Sequence, residues 1–229
     1  MSRIHFIGGE KGGVGKSVVS RLLAQYWIDH KTPWAGFDTD RSHGALLRHY
    51  AEFSQPLEIS RMEDLDRLME AAAEEDQQVL VDLAAQSEQD LHHWIATSGV
   101  LELASELGIE VLFWHVMDDG KDSLELLDKL LARYGSLAHC VIVLNHGRGD
   151  NFASFHKSPV AQKVAEMGVP VLELPALHKA TMRNIDHLDK SFWAATSHKE
   201  GPSALGLVER HRVKVWTRAA NAEFEKLGI

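Results

Sequence analysis

The sequence predicts an α/β fold: a doubly wound, mostly parallel sheet with helices on both faces, in one domain spanning residues 1–229. Three observations lead there. Short runs rich in Val, Ile, Leu and Phe recur along the chain, nearly continuous in hydrophobicity, as strands covered on both faces require. Longer segments with apolar residues at threes and fours separate those runs, and such β-α-β alternation builds a parallel sheet. A chain of 229 residues, 45% of them hydrophobic, is also long enough to bury one sizeable core.

Taken in order, the first strand is IHFIG at 4–8, followed by the helix VVSRLLAQYWIDH, where Trp27 lies at helical spacing from Leu23 and reads as a packing residue. WAGFD at 34–38 is the second strand, with the helical segments GALLRHY and MEDLDRLMEAAAEE behind it. VLVDL at 79–83, VLFWHV at 111–116, CVIVLN at 140–145 and VPVLELP at 169–175 supply four more strands, interleaved with LELASELG, DSLELLDKLLARYG and PVAQKVAEMG. KEGPSALG at 199–206 reads as a turn before a last helix, and no internal repeat or low-complexity tract interrupts the pattern.

A formal charge of −9 argues against a surface coated for nucleic acid, although it leaves room for a local basic patch. Cys140, alone in the sequence and set in an apolar run, has no internal disulfide partner and reads as a buried thiol, which suits a reducing cytoplasm. No stretch reaches the roughly 18 consecutive apolar residues of a membrane span, and no secretory leader is evident. The 14 histidines carry no metal spacing: His92, His93 and His211 do not form H-E-x-x-H.

The chemistry concentrates in KGGVGKS, residues 11–17. A loop that leaves a strand and opens a helix presents unpaired N–H groups and the positive end of the helix dipole, so it attracts phosphate. Gly12, Gly13 and Gly15 let the backbone approach phosphate oxygens closely, Lys16 offers a point charge for the β and γ phosphates, and Ser17 a hydroxyl ligand for Mg²⁺. The usual phosphate-loop pattern has glycine where this chain has Glu10, and an extra lysine, Lys11, follows it.

That spacing resembles the deviant Walker A loop of the ParA/MinD family of ATPases. The resemblance implies a P-loop NTPase fold that binds ATP and Mg²⁺ through Gly12, Gly13, Val14, Gly15, Lys16, Ser17 and Val18, with Lys11 reaching across a homodimer to the partner's phosphates. It extends to FDTDRSHG, where Asp38 would hold the Mg²⁺ shell through water and Asp40 would orient the attacking water or accept a proton from it. A plainer reading has Asp40 or Ser42 capping the helix that follows. VLVDLAAQ is similar to the family's Walker B strand, with Asp82 as a carboxylate near the metal, but Ala84 stands where the family commonly has proline. Asn145 matches a position that contacts adenine, and Leu174 and Pro175 match the base-side loop.

The resemblance runs from residue 2 to about 190 and implies the short type, without an N-terminal helix-turn-helix domain, like members found with plasmid partition and mobilisation. It implies a dimeric ATPase switch, cytoplasmic and nucleoid-associated, whose slow hydrolysis, stimulated by a partner protein, times release from that partner. Arg210, Arg212, Lys214 and Arg218 on the last helix would then offer a non-specific DNA contact, against the plainer reading of a solvated helix face. Two other readings stay open: a metabolic P-loop enzyme, such as an amidoligase or kinase-like synthetase, and a nucleotide-binding scaffold that does not hydrolyse.

Overall fold

The computed structural model describes residues 1–8, 10–40, 44–201 and 204–229. Among them, seven strands form one sheet in the order β3-β2-β4-β1-β5-β6-β7. The strands are β1 Arg3–Gly8, β2 Trp34–Asp38, β3 Ser54–Pro56, β4 Gln78–Asp82, β5 Glu110–Met117, β6 His139–Asn145 and β7 Val171–Leu174. Every neighbouring pair is parallel, so the sheet exceeds the mostly parallel expectation. The addition is β3, a three-residue edge strand with sequence SQP; it lacks an apolar run and its proline is tolerated because the edge needs no further ladder bond.

The helices are α1 Lys16–His30, α2 Ala45–His49, α3 Met62–Glu74, α4 Glu88–Ser98, α5 Val100–Leu107, α6 Lys121–Tyr134, α7 Ala153–His156, α8 Pro159–Glu166, α9 Lys179–His187, α10 Phe192–Ser197 and α11 Leu207–Glu225. Successive strand residues point to opposite faces, and the core divides accordingly. Phe6, Val79, Val81, Phe113 and Ile142 pack with residues of α3, α4, α5, α6 and α8, while Ile7, Leu80, Trp114 and Val141 pack with α1, α2, α9, α10 and α11. Cys140 is buried in the first of these layers, and burial pushes its thiol up to about 11. Trp27 is fully buried in the second, 5.0 Å between ring centroids from His5.

His5, in the middle of β1, is an interior polar residue with a defined proton. The Trp114 indole N–H donates to its Nδ1 at 3.2 Å, so Nε2 carries the hydrogen and donates to Gln78 Oε1 at 2.8 Å. Burial lowers its pKa to about 4, keeping the ring neutral. The bond pattern ties β1 to β4 on one side and to β5 on the other. That matters for the site, because the loop after β1 lies between the carboxyl ends of those two strands, where open α/β sheets bind ligands.

Candidate nucleotide site

The loop between β1 and α1 takes the conformation its glycines permit. Gly13 and Gly15 have φ of 79° and 100°, in the left-handed region that side chains disfavour, and Gly15 is the residue that enters the helix. Gly15 is constrained twice, since a Cβ there would lie 2.2 Å from Asn145 Nδ2. Behind it, Lys16 is buried with its ammonium donating to the Lys11 carbonyl at 3.0 Å. Burial lowers the Lys16 pKa, opposed by the nearby charges of Asp82 and Glu10.

Glu10, the departure from the usual glycine, has a structural partner. Its Oε1 accepts the backbone N–H of Glu88 at 2.8 Å, placing a carboxylate on the first turn of α4. The loop is thereby fastened to the helix that follows β4. Lys11 is fastened as well: its Nζ lies 3.0 Å from both carboxylate oxygens of Asp118, just beyond β5.

Asp38 and Asp82 close β2 and β4 as direct register partners, both buried. Asp38 accepts the N–H groups of Asp40 at 3.0 Å, Leu46 at 2.9 Å and Leu47 at 3.4 Å. The acid that serves the start of α2 is therefore Asp38, reaching past Gly44, and not the Asp40 of the plainer sequence reading; the other residue of that reading, Ser42, lies outside the described residues. Gly44 leaves the room for it, because a Cβ there would sit 2.8 Å from Asp38 Oδ2. Burial raises the Asp38 pKa against those three amides. Asp82 is pushed up to about 7, by burial first and then by the neighbouring Asp38, while the Ser17 and Ser20 hydroxyls and Lys16 pull it down. Its Oδ1 is buried without a hydrogen-bond partner. Two interior carboxylates side by side, one with an orphaned oxygen and a serine hydroxyl near it, form a donor set for a hard, oxygen-seeking cation.

Val18, Asn145, Leu174 and Pro175 line one cavity of about 260 Å³. Arg148, just past β6, lines it too, as do Met182, Arg183 and Trp216, which were missed because nothing local in α9 or α11 marks those three as neighbours of β6 and β7. Both ends of the Asn145 amide are engaged within the chain: Nδ2 donates to Val14 O at 2.8 Å and Oδ1 accepts from Gly147 N at 3.0 Å. As placed, Asn145 braces the glycine loop. Trp216 anchors the other wall, its indole N–H donating to the Pro175 carbonyl at 2.6 Å.

The four basic residues of α11 do not share one face. Arg210 donates to the Leu205 carbonyl and Arg212 to Thr181 Oγ1, and both are half-buried, while Lys214 and Arg218 are exposed one turn apart. Among the described residues no helix is long and apolar enough to cross a membrane.

No family model matches the chain. It is 27% identical to Protein TraL of Escherichia coli over 195 residues, covering 79% of this chain and 80% of that protein. To Protein MobD of Acidithiobacillus ferrooxidans it is 27% identical over 179 residues, covering 75% and 77%. A solved nucleotide-binding protein from Archaeoglobus fulgidus, in complex with ADP, aligns over 82% of this chain and 86% of that one at 13% identity and a TM-score of 0.43, a distant likeness.

Proposed function

We propose that the chain is a Mg-ATP-binding and slowly hydrolysing switch of the deviant Walker A, ParA/MinD type, which dimerises on ATP and acts in plasmid mobilisation or partition through a partner protein. The observation that carries this reading is the meeting, at one end of the sheet, of a left-handed glycine loop, a buried lysine at the head of α1, and two buried carboxylates in register. The names of the relatives, TraL and MobD, support the plasmid context.

The loop amides and Lys16 bind the triphosphate, and Lys16 exchanges the Lys11 carbonyl for phosphate oxygens. Magnesium, when bound, would be held by Ser17 and, through water, by Asp38 and Asp82, and would neutralise charge on the β and γ phosphates. Asp40, next to the cluster, orients the attacking water. Lys11 leaves Asp118 and completes the partner subunit's site, so that transition-state charge is stabilised only after assembly. For DNA, support comes from Lys214 and Arg218 alone, two phosphate contacts per protomer.

Calorimetry with ATP and Mg²⁺, paired with a phosphate-release assay, tests the reading. The parent protein takes up ATP and turns it over slowly, and Lys16→Ala loses uptake; an unchanged affinity in Lys16→Ala refutes the assignment.

A further inference from the structure

Thr39 stands between the two aspartates of GFDTD, and its side chain reaches across to the neighbouring strand. Its backbone N–H donates to the Asp82 carbonyl at 3.1 Å, and its hydroxyl donates to the same oxygen at 3.2 Å. The backbone N–H of Ala84 then donates to Thr39 Oγ1 at 2.7 Å. An amide can only donate, so the hydroxyl accepts there and its one hydrogen is left for the carbonyl. The β2–β4 pairing would otherwise end at the register pair Asp38↔Asp82. Thr39 carries it one residue further on its own strand and two on the other.

The pairing ends at the place where it is under load. Asp38 and Asp82 are buried carboxylates facing each other as register partners, and like charge on the two tends to part the strand ends. A hydroxyl bonded on both sides opposes that parting. It also explains the alanine that departs from the resembling family's common D-x-P: proline at residue 84 has no N–H to give Thr39. Thr39 and Ala84 are a matched pair.

We infer that Thr39 is a positioning residue whose hydroxyl, with the Ala84 N–H as its required partner, fixes the spacing of Asp38 and Asp82 for a divalent cation. The inference rests on the Mg-ATP reading. Thr39 acts through the two aspartates, since its hydroxyl is spent on the Asp82 carbonyl and the Ala84 N–H.

The test is ATP affinity by calorimetry in Mg²⁺ and in EDTA for the parent, Thr39→Val, Thr39→Ser, Ala84→Pro and the double variant Thr39→Val/Ala84→Pro, with melting curves of each. Thr39→Val is expected to lose about tenfold of the Mg²⁺-dependent gain in affinity, the scale of lost support for metal ligands, while affinity in EDTA holds. Thr39→Ser restores the gain. In the Ala84→Pro background the Thr39→Val change costs much less, because the bridge is already broken. Should Thr39→Val fail to fold, Thr39→Ala removes the same hydroxyl in a smaller side chain and carries the test. An unchanged Mg²⁺ gain, an equal loss in both buffers, or simple additivity of the two substitutions overturns the inference while leaving the Mg-ATP reading intact. A parent that binds no ATP in either buffer overturns that reading and this inference together.

Discussion

Asp118→Asn tests whether Lys11 is restrained within its own subunit until two chains meet. The Lys11 ammonium sits 3.0 Å from both Asp118 oxygens, with the two side chains 28% and 20% exposed. Burial pushes the Asp118 carboxyl up, but hydrogen bonds from Ser123, Lys11 and Gly120 outweigh it and hold the group below the usual carboxylate range. Ser123 Oγ at 2.6 Å and Gly120 N at 3.1 Å both donate to Oδ1, which an asparagine keeps. The substitution therefore spares the turn into α6 and removes the charge that faces Lys11. A partly exposed pair of this kind contributes about 1 kcal/mol. A dimer must release two, about 2 kcal/mol, and at 1.36 kcal/mol per tenfold the neutral variant should dimerise roughly 30-fold more tightly. Sedimentation velocity over a concentration series with Mg-ATP reads the midpoint directly, and added salt should narrow the gap between variant and parent by screening. A variant that dimerises at the same concentration as the parent, or more weakly, refutes the restraint.

Gly15→Ala should abolish ATP uptake and cost about 2 kcal/mol in stability, because the new methyl meets both a left-handed φ and the Asn145 amide; normal calorimetry and melting would contradict this. Asp40→Ala should accumulate an ATP-bound dimer with phosphate release at least about 100-fold slower, and undiminished release removes Asp40 from the chemistry. For Asp82, the folded carboxyl at about 7 holds its proton more tightly than the unfolded one, so its stabilising effect is complete below about pH 4 and disappears as pH rises through 7. Without Mg²⁺, Asp82→Asn should accordingly melt several degrees above the parent at pH 8 and close to it at pH 4.5; a pH-independent difference would show that the carboxyl is not perturbed by its burial.

What was legible in the sequence is what local physics determines. Six apolar runs became strands because parallel strands must be apolar on both faces, and of the three glycines between a strand and a helix, Gly13 and Gly15 take a backbone that other residues avoid. The contacts that complete the site were not local. Glu10 meets Glu88 and Lys11 meets Asp118 across more than seventy positions of sequence, and only the strand order brings those residues together. Asp118 had a faint local sign, an acid followed by Asp-Gly at the end of an apolar strand, where acids of α/β sheets face the ligand edge. The edge strand β3 had none, and spacing along α11 does not reveal which guanidinium turns inward to a carbonyl or hydroxyl.

The two lysines of the loop differ in what they must leave, and that difference orders the proposed cycle. Lys16 donates to the Lys11 carbonyl with the charges of Asp82 and Glu10 near it, all within its own chain, so a triphosphate that replaces the carbonyl is bound by a single subunit. Lys11 donates to a carboxylate that two other donors already hold ionised, and an exposed phosphate offers it little beyond what it has. A closed dimer changes the comparison, because a phosphate cage shielded from water strengthens every charge contact inside it. Binding is then open to the monomer while hydrolysis waits for the partner, and the delay is set by one aspartate at the end of β5. A Lys11→Ala variant separates the two steps: it should bind ATP as the parent does and fail to form the ATP-dependent dimer whether residue 118 is Asp or Asn, and a response to the residue at 118 in that background would show that Asp118 acts on something other than Lys11.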